Sequence, residues 1–151
     1  MSVHAPSHVR VVSATPATAV AIWRSRVALD VARGLAVAGV FLSAAVHLNL
    51  WYADGFRDIA TIGPLFLLNA IGGLLIGLVL LCWRHWLPAL AAVAFGAGTL
   101  VAFYLSVTIG LFNFKEVATG EPQVLVEVAE YVAVVFGLIA AWMSWQHSRR
   151  R

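Results

Sequence analysis

Four side chains combine reactive chemistry with an apolar setting: His47, Asn69, Glu127 and Glu130. A carboxylate turned toward lipid costs about 2.5 to 3.5 kcal/mol at a helix centre. Glu130 is therefore expected to face other helices, either protonated or paired. Glu127 and Glu130 are three residues apart, the spacing that puts two side chains on one helix face. His47 precedes Trp51 by one helical turn, which sets it about 6 Å below a membrane border, and Asn69 lies roughly 12 Å deep by the same rise per residue. These four form a candidate polar site, with His47 and Glu130 as its expected partners. Such a pair can ligate a metal, relay protons, or tie helices together by hydrogen bonding. The tie needs no ligand and is the simplest reading.

Four long apolar runs must carry these groups: Leu35 to Trp51, Ile62 to Trp83, Leu87 to Phe112 and Val124 to Trp145. With 62% apolar and 11% charged residues and a mean hydropathy of +0.89, the chain departs from the soluble norm of about 25% charged. A crossing needs about 20 helical residues, so four crossings use nearly all of the 151 residues. The expected fold is all-α, a four-transmembrane-helix bundle with helices at about 30–51, 61–83, 87–112 and 123–146. Residues 1–21, rich in Ser, Thr, Pro and Ala, read as a disordered tail, and 149–151 as a basic end to the membrane domain 22–148. Arg24, Arg26 and Arg33 ahead of an apolar stretch resemble a leader, but the run continues past Ser43-Ala44-Ala45, so an uncleaved first helix is expected.

Charge placement sets the orientation. Arg10, Arg24, Arg26, Arg33, Arg84, Arg149, Arg150 and Arg151 fall on one side, while only Arg57 and Lys115 fall on the other. Basic residues are retained on the cytoplasmic side, which predicts cytoplasmic N and C termini. The net charge of +3 is thus a topology signal; the triple-arginine end reads as a stop-transfer anchor, and no nucleic-acid partner is expected. Six of the seven acids (Asp54, Asp58, Glu116, Glu121, Glu127 and Glu130) gather on the outer side.

Gly73 and Gly77 have the GxxxG spacing that lets helix backbones approach closely. The face serves either the protein's own helices, the preferred reading, or a second copy or another membrane protein. Cys82 is a lone cysteine, which excludes an internal disulfide and a CxxC site. No GxSxG, Walker A, HExxH or dinucleotide fingerprint is present.

The segments His47-Leu48-Asn49-Leu50, Phe56-Arg57-Asp58-Ile59 and Thr61-Ile62-Gly63-Pro64-Leu65-Phe66-Leu67-Leu68-Asn69 resemble small four-span actinobacterial membrane proteins of uncharacterised function. The plan, though no motif, is similar to DoxX-like membrane proteins. The resemblance implies a bacterial plasma membrane and draws attention to His47 and Asn69; it supplies no catalytic residue.

The functional expectation is a non-enzymatic accessory or small-ligand-binding subunit, embedded in the bilayer, with an outward-facing polar site and no cofactor. The alternatives are a redox-linked membrane subunit using quinone or haem, or an oligomeric small transporter or channel. Haem usually needs two facing histidines; His47 is alone within the runs, and His85 and His147 lie at the opposite surface.

Overall fold

The computed structural model describes residues 16–116 and 120–149, with side chains from Val20 onward. Helix α1 is Pro16–Ala53, α2 Ile62–Cys82, α3 Trp86–Thr108 and α4 Glu121–Arg149, with a single 3-10 turn at Phe56–Asp58. All four helices are long and apolar enough to cross a membrane. The start of α1, the Trp83–His85 turn and the end of α4 meet at one end, where Arg26, Asp30, Arg84 and His147 surround a shared pocket. This is the arginine end; the 3-10 turn and the segment after α3 form the loop end.

Helix α1 begins earlier than the sequence suggests. Residues 16–21, expected in the tail, are helical, and residues 1–15 lie outside the described part. The reason is local: no Gly or Pro occurs between Ala17 and Arg33, and Pro16 falls in the first turn, where its missing N–H is harmless. Once the apolar span is helical, adding further residues needs no new nucleus. At 38 residues and about 1.5 Å per residue, α1 overshoots a ~30 Å hydrocarbon layer. Its exposed Arg24 and Arg26 belong to that overshoot.

Helix α3 stops at Thr108, short of the expected Phe112. Gly110 takes φ 85° and its N–H reaches the Leu105 carbonyl at 2.9 Å, a left-handed helix stop. Phe112 and Asn113, both at positive φ, then form a tight turn closed by hydrogen bonds between Leu111 and Phe114.

Small residues set the packing. Helix α4 turns Ala129, Ala133, Gly137, Ala140 and Ala141 into the bundle. A Cβ at Gly39 of α1 would stand 2.6 Å from the Ala129 carbonyl oxygen, and one at Gly96 of α3 would stand 2.9 Å from that of Glu130. Neighbouring helices thus grip α4 from two sides, backbone to backbone, as small residues permit in lipid. Gly73 packs on Ala44 and Phe95, and Gly77 on the ring of Phe41, so the GxxxG face is filled from within the chain. The helices run in ring order α1, α2, α3, α4, and α2 against α3 is the loosest contact between neighbours.

Arg33 is buried at the arginine end instead of being exposed there. It is 6% exposed, and its Nη2 donates to the carbonyls of Leu80 and of Trp83, the latter at 3.2 Å. Those carbonyls end α2, where helix geometry leaves acceptors unmatched and favours a cation.

Candidate functional site

The four predicted residues do not form one cluster. Glu130 is fully buried, and its Oε1 accepts a hydrogen bond from Ser43 Oγ at 3.1 Å. His47, one turn further along α1, places Nδ1 2.9 Å from the Ser43 carbonyl oxygen and 3.5 Å from Ser43 Oγ. The expected direct His47–Glu130 pair is therefore replaced by a link through Ser43. Serine is small enough to sit between α1 and α4 where the glycines draw them together.

Asn69 joins neither. Its Nδ2 donates to Thr99 Oγ1 at 2.8 Å, tying α2 to α3. Glu127 also parts from Glu130: Tyr104 donates to its Oε1 on the outer flank of α3 and α4, and the Tyr104 and Tyr131 hydroxyls stand 3.0 Å apart. The shared face of the two glutamates is real in spacing, yet one carboxyl is enclosed and the other lies at the lipid-facing edge. Ser43, Thr99, Tyr104 and Tyr131 are the partners that sequence reasoning did not pair. Ser43 lies four residues before His47, a spacing that marks a shared helix face.

His47 and Asn69 do meet around one space. A cavity of about 460 Å³ lies between α2 and α3 toward the loop end, and both residues line it; Glu127 and Glu130 do not. Its walls are chiefly apolar, with Leu65, Leu68, Phe95 and Phe103 among them, and Thr99 and Ser106 add hydroxyls. Aromatic rings close the loop end. Phe56 stacks on Phe66 at 4.6 Å, Phe66 tilts against His47 at 5.0 Å, and Phe114 meets Phe56 edge-on at 5.9 Å. Gly72 and Gly98 also line the space, and a Cβ at either would meet nothing within 4 Å. Leu65 and Leu68 are 39% and 64% exposed, so the cavity wall continues onto the outer, lipid-facing surface of the bundle.

Among the described residues, no three His, Cys, Asp or Glu side chains gather as metal ligands. His47 and Glu130, the candidate ligands, are spent on Ser43. His85 and His147 both line the pocket at the arginine end, beside Arg26, Asp30 and Arg84. Compared with known protein families, curated proteins and solved structures, the chain matches none.

Proposed function

We propose that this chain is a non-enzymatic, multi-pass plasma-membrane protein with cytoplasmic termini, which holds a small, mostly apolar molecule between α2 and α3. One observation supports the reading above the others: the cavity of about 460 Å³ against the loosest seam of the bundle, lined by apolar groups and a few polar ones. Small-molecule sites have this size and this mixture. The site is less polar than the sequence suggested, since the two glutamates stand outside it. Entry from the bilayer fits the exposed Leu65 and Leu68 at its wall. The accessory role rests on the lack of a catalytic motif in the sequence and on the presence of a binding space.

The test is cavity filling. A Cβ at Gly98, which lines the cavity, meets nothing within 4 Å, so Gly98→Trp starts a large side chain at the cavity wall with no clash at its first carbon. Protein purified from its native membrane should yield, on organic extraction and mass spectrometry, a molecule that the Gly98→Trp variant loses while keeping its melting temperature. Identical extracts from both proteins would refute the binding role.

A further inference from the structure

We infer that the pocket at the arginine end binds a phosphate group, whether carried by a lipid headgroup or by a water-soluble ester. This site is separate from the α2–α3 cavity and lies at the opposite end of the bundle. Basic residues that only set topology need no common target. Here they converge. Arg26 of α1 and Arg84 of the turn after α2 line one space of about 480 Å³, which His147 of α4 helps to enclose. Arg26 makes no ion pair among the described residues, while Arg84 is paired with Asp30, the carboxylate of the pocket. The side chains of Arg84 and Asp30 are 70% and 51% accessible, so a ligand can reach both. Two guanidinium groups thus stand against one carboxylate, and His85 and His147 can only add positive charge. No protonation of these groups makes the pocket negative, so it favours an anion.

Donors and acceptors give the same sign. Arg26 offers its whole guanidinium group, and Arg84 offers the N–H groups that Asp30 does not take. His85 Nδ1 accepts from the Leu87 N–H at 3.3 Å, so the neutral ring carries its proton on Nε2 and donates from there. Trp86 adds an indole N–H, which can only donate. Against these, His147 Nδ1 donates to the Met143 carbonyl oxygen at 2.7 Å, which leaves Nε2 an acceptor until it is protonated. Ser148 donates to the Trp145 carbonyl oxygen at 2.7 Å and keeps only lone pairs. Ser144 can turn its hydroxyl either way and does not discriminate. Donors predominate, and they come from α1, from the turn and from the start of α3. A carboxylate aims its oxygens within one plane. The oxygens of a phosphate diverge, so they can meet donors from several sides, and guanidinium forks pair with them through parallel N–H groups.

The probes are radiolabelled inorganic phosphate and phosphatidic acid, each offered to the protein in dodecyl maltoside micelles, which contribute no phosphate of their own. Salt at about 0.15 M screens exposed charges more than about 8 Å apart. The protein should retain probe in excess of protein-free micelles, and acetate at the same concentration should not displace it. Retention of phosphatidic acid but not of inorganic phosphate assigns the site to a headgroup. Retention of inorganic phosphate assigns it to soluble phosphate chemistry, and both results uphold the inference. Arg26→Gln should weaken binding by about fivefold. Arg24→Gln removes the same charge from an exposed position outside the pocket and should leave binding within about twofold. Asp30→Asn should strengthen binding by about fivefold, because it removes the opposing charge and releases Arg84. Misfolding cannot produce that gain. No excess of either probe, displacement by acetate, equal losses in Arg24→Gln and Arg26→Gln, or weaker binding in Asp30→Asn would each overturn the inference.

Discussion

Ser43 of α1 donates to Glu130 of α4 at 3.1 Å, and among the described residues no other hydrogen bond reaches that fully buried carboxyl group. An ionised carboxylate so enclosed would need a cation or several donors to offset its lost hydration.

Glu130→Gln should consequently leave the bundle within about 1 kcal/mol of the wild type, because the amide keeps the acceptor at Oε1 and the volume. Glu130→Ala should lose about 1 to 3 kcal/mol, and Ser43→Ala a similar or smaller amount. The double change should cost less than the sum, as expected for residues in contact. Unfolding in mixed micelles measures all four; additive losses would separate the two residues.

Gly39 and Gly96 should resist even alanine. A Cβ at Gly39 meets backbone atoms of Ala129 and Ala133, which cannot swing aside. Gly39→Ala should cost about 1 to 3 kcal/mol, the usual penalty for overpacking. Gly34, where a Cβ meets nothing within 4 Å, is the control: Gly34→Ala should hold or slightly raise the melting temperature.

Arg33→Met should lower stability by about 1 to 3 kcal/mol by abandoning the carbonyls of Leu80 and Trp83. The exposed Asp30–Arg84 ion pair is a contrast, with side chains 51% and 70% accessible. Asp30→Asn should cost under about 1 kcal/mol, as exposed pairs do. Thermal melts of both variants in one detergent decide the ranking, and equal losses would deny Arg33 its special position.

Orientation is open to labelling. In a Cys82→Ser background, cysteines at Asp54 and Glu121 should react with an impermeant maleimide on intact cells, and one at Ser148 only after permeabilisation. The reverse pattern would invert the proposed topology.

The helices were legible because an apolar run of spanning length leaves few alternatives in lipid. Polar pairing was not. The rise per residue gives each group a depth, and His47 and Glu130 were placed near each other on that basis. What meets what also depends on how each helix is rotated, and that rotation follows from Gly39 and Gly96 pressing on α4. Ser43 and Thr99, which carried no expected role in the site, proved to be the partners of Glu130 and Asn69. The burial of Arg33 was not legible, because a charge two residues before an apolar run looks like a solvated flank. Its true setting depends on the end of α2, nearly fifty residues further along the chain.

That last separation carries a consequence for biogenesis. When Arg33 leaves the ribosome, the acceptors it will use have not reached the membrane, since Leu80 and Trp83 lie 47 and 50 residues further along the chain. A guanidinium alone in hydrocarbon is costly, so until then the first helix is expected to keep Arg33 in water or among the headgroups. The completed second helix then supplies the carbonyls of Leu80 and Trp83. The first two segments are therefore expected to settle as a pair, and a stalled chain ending before Leu80 should leave Arg33 more accessible to labelling than one that carries the whole of α2 into the membrane.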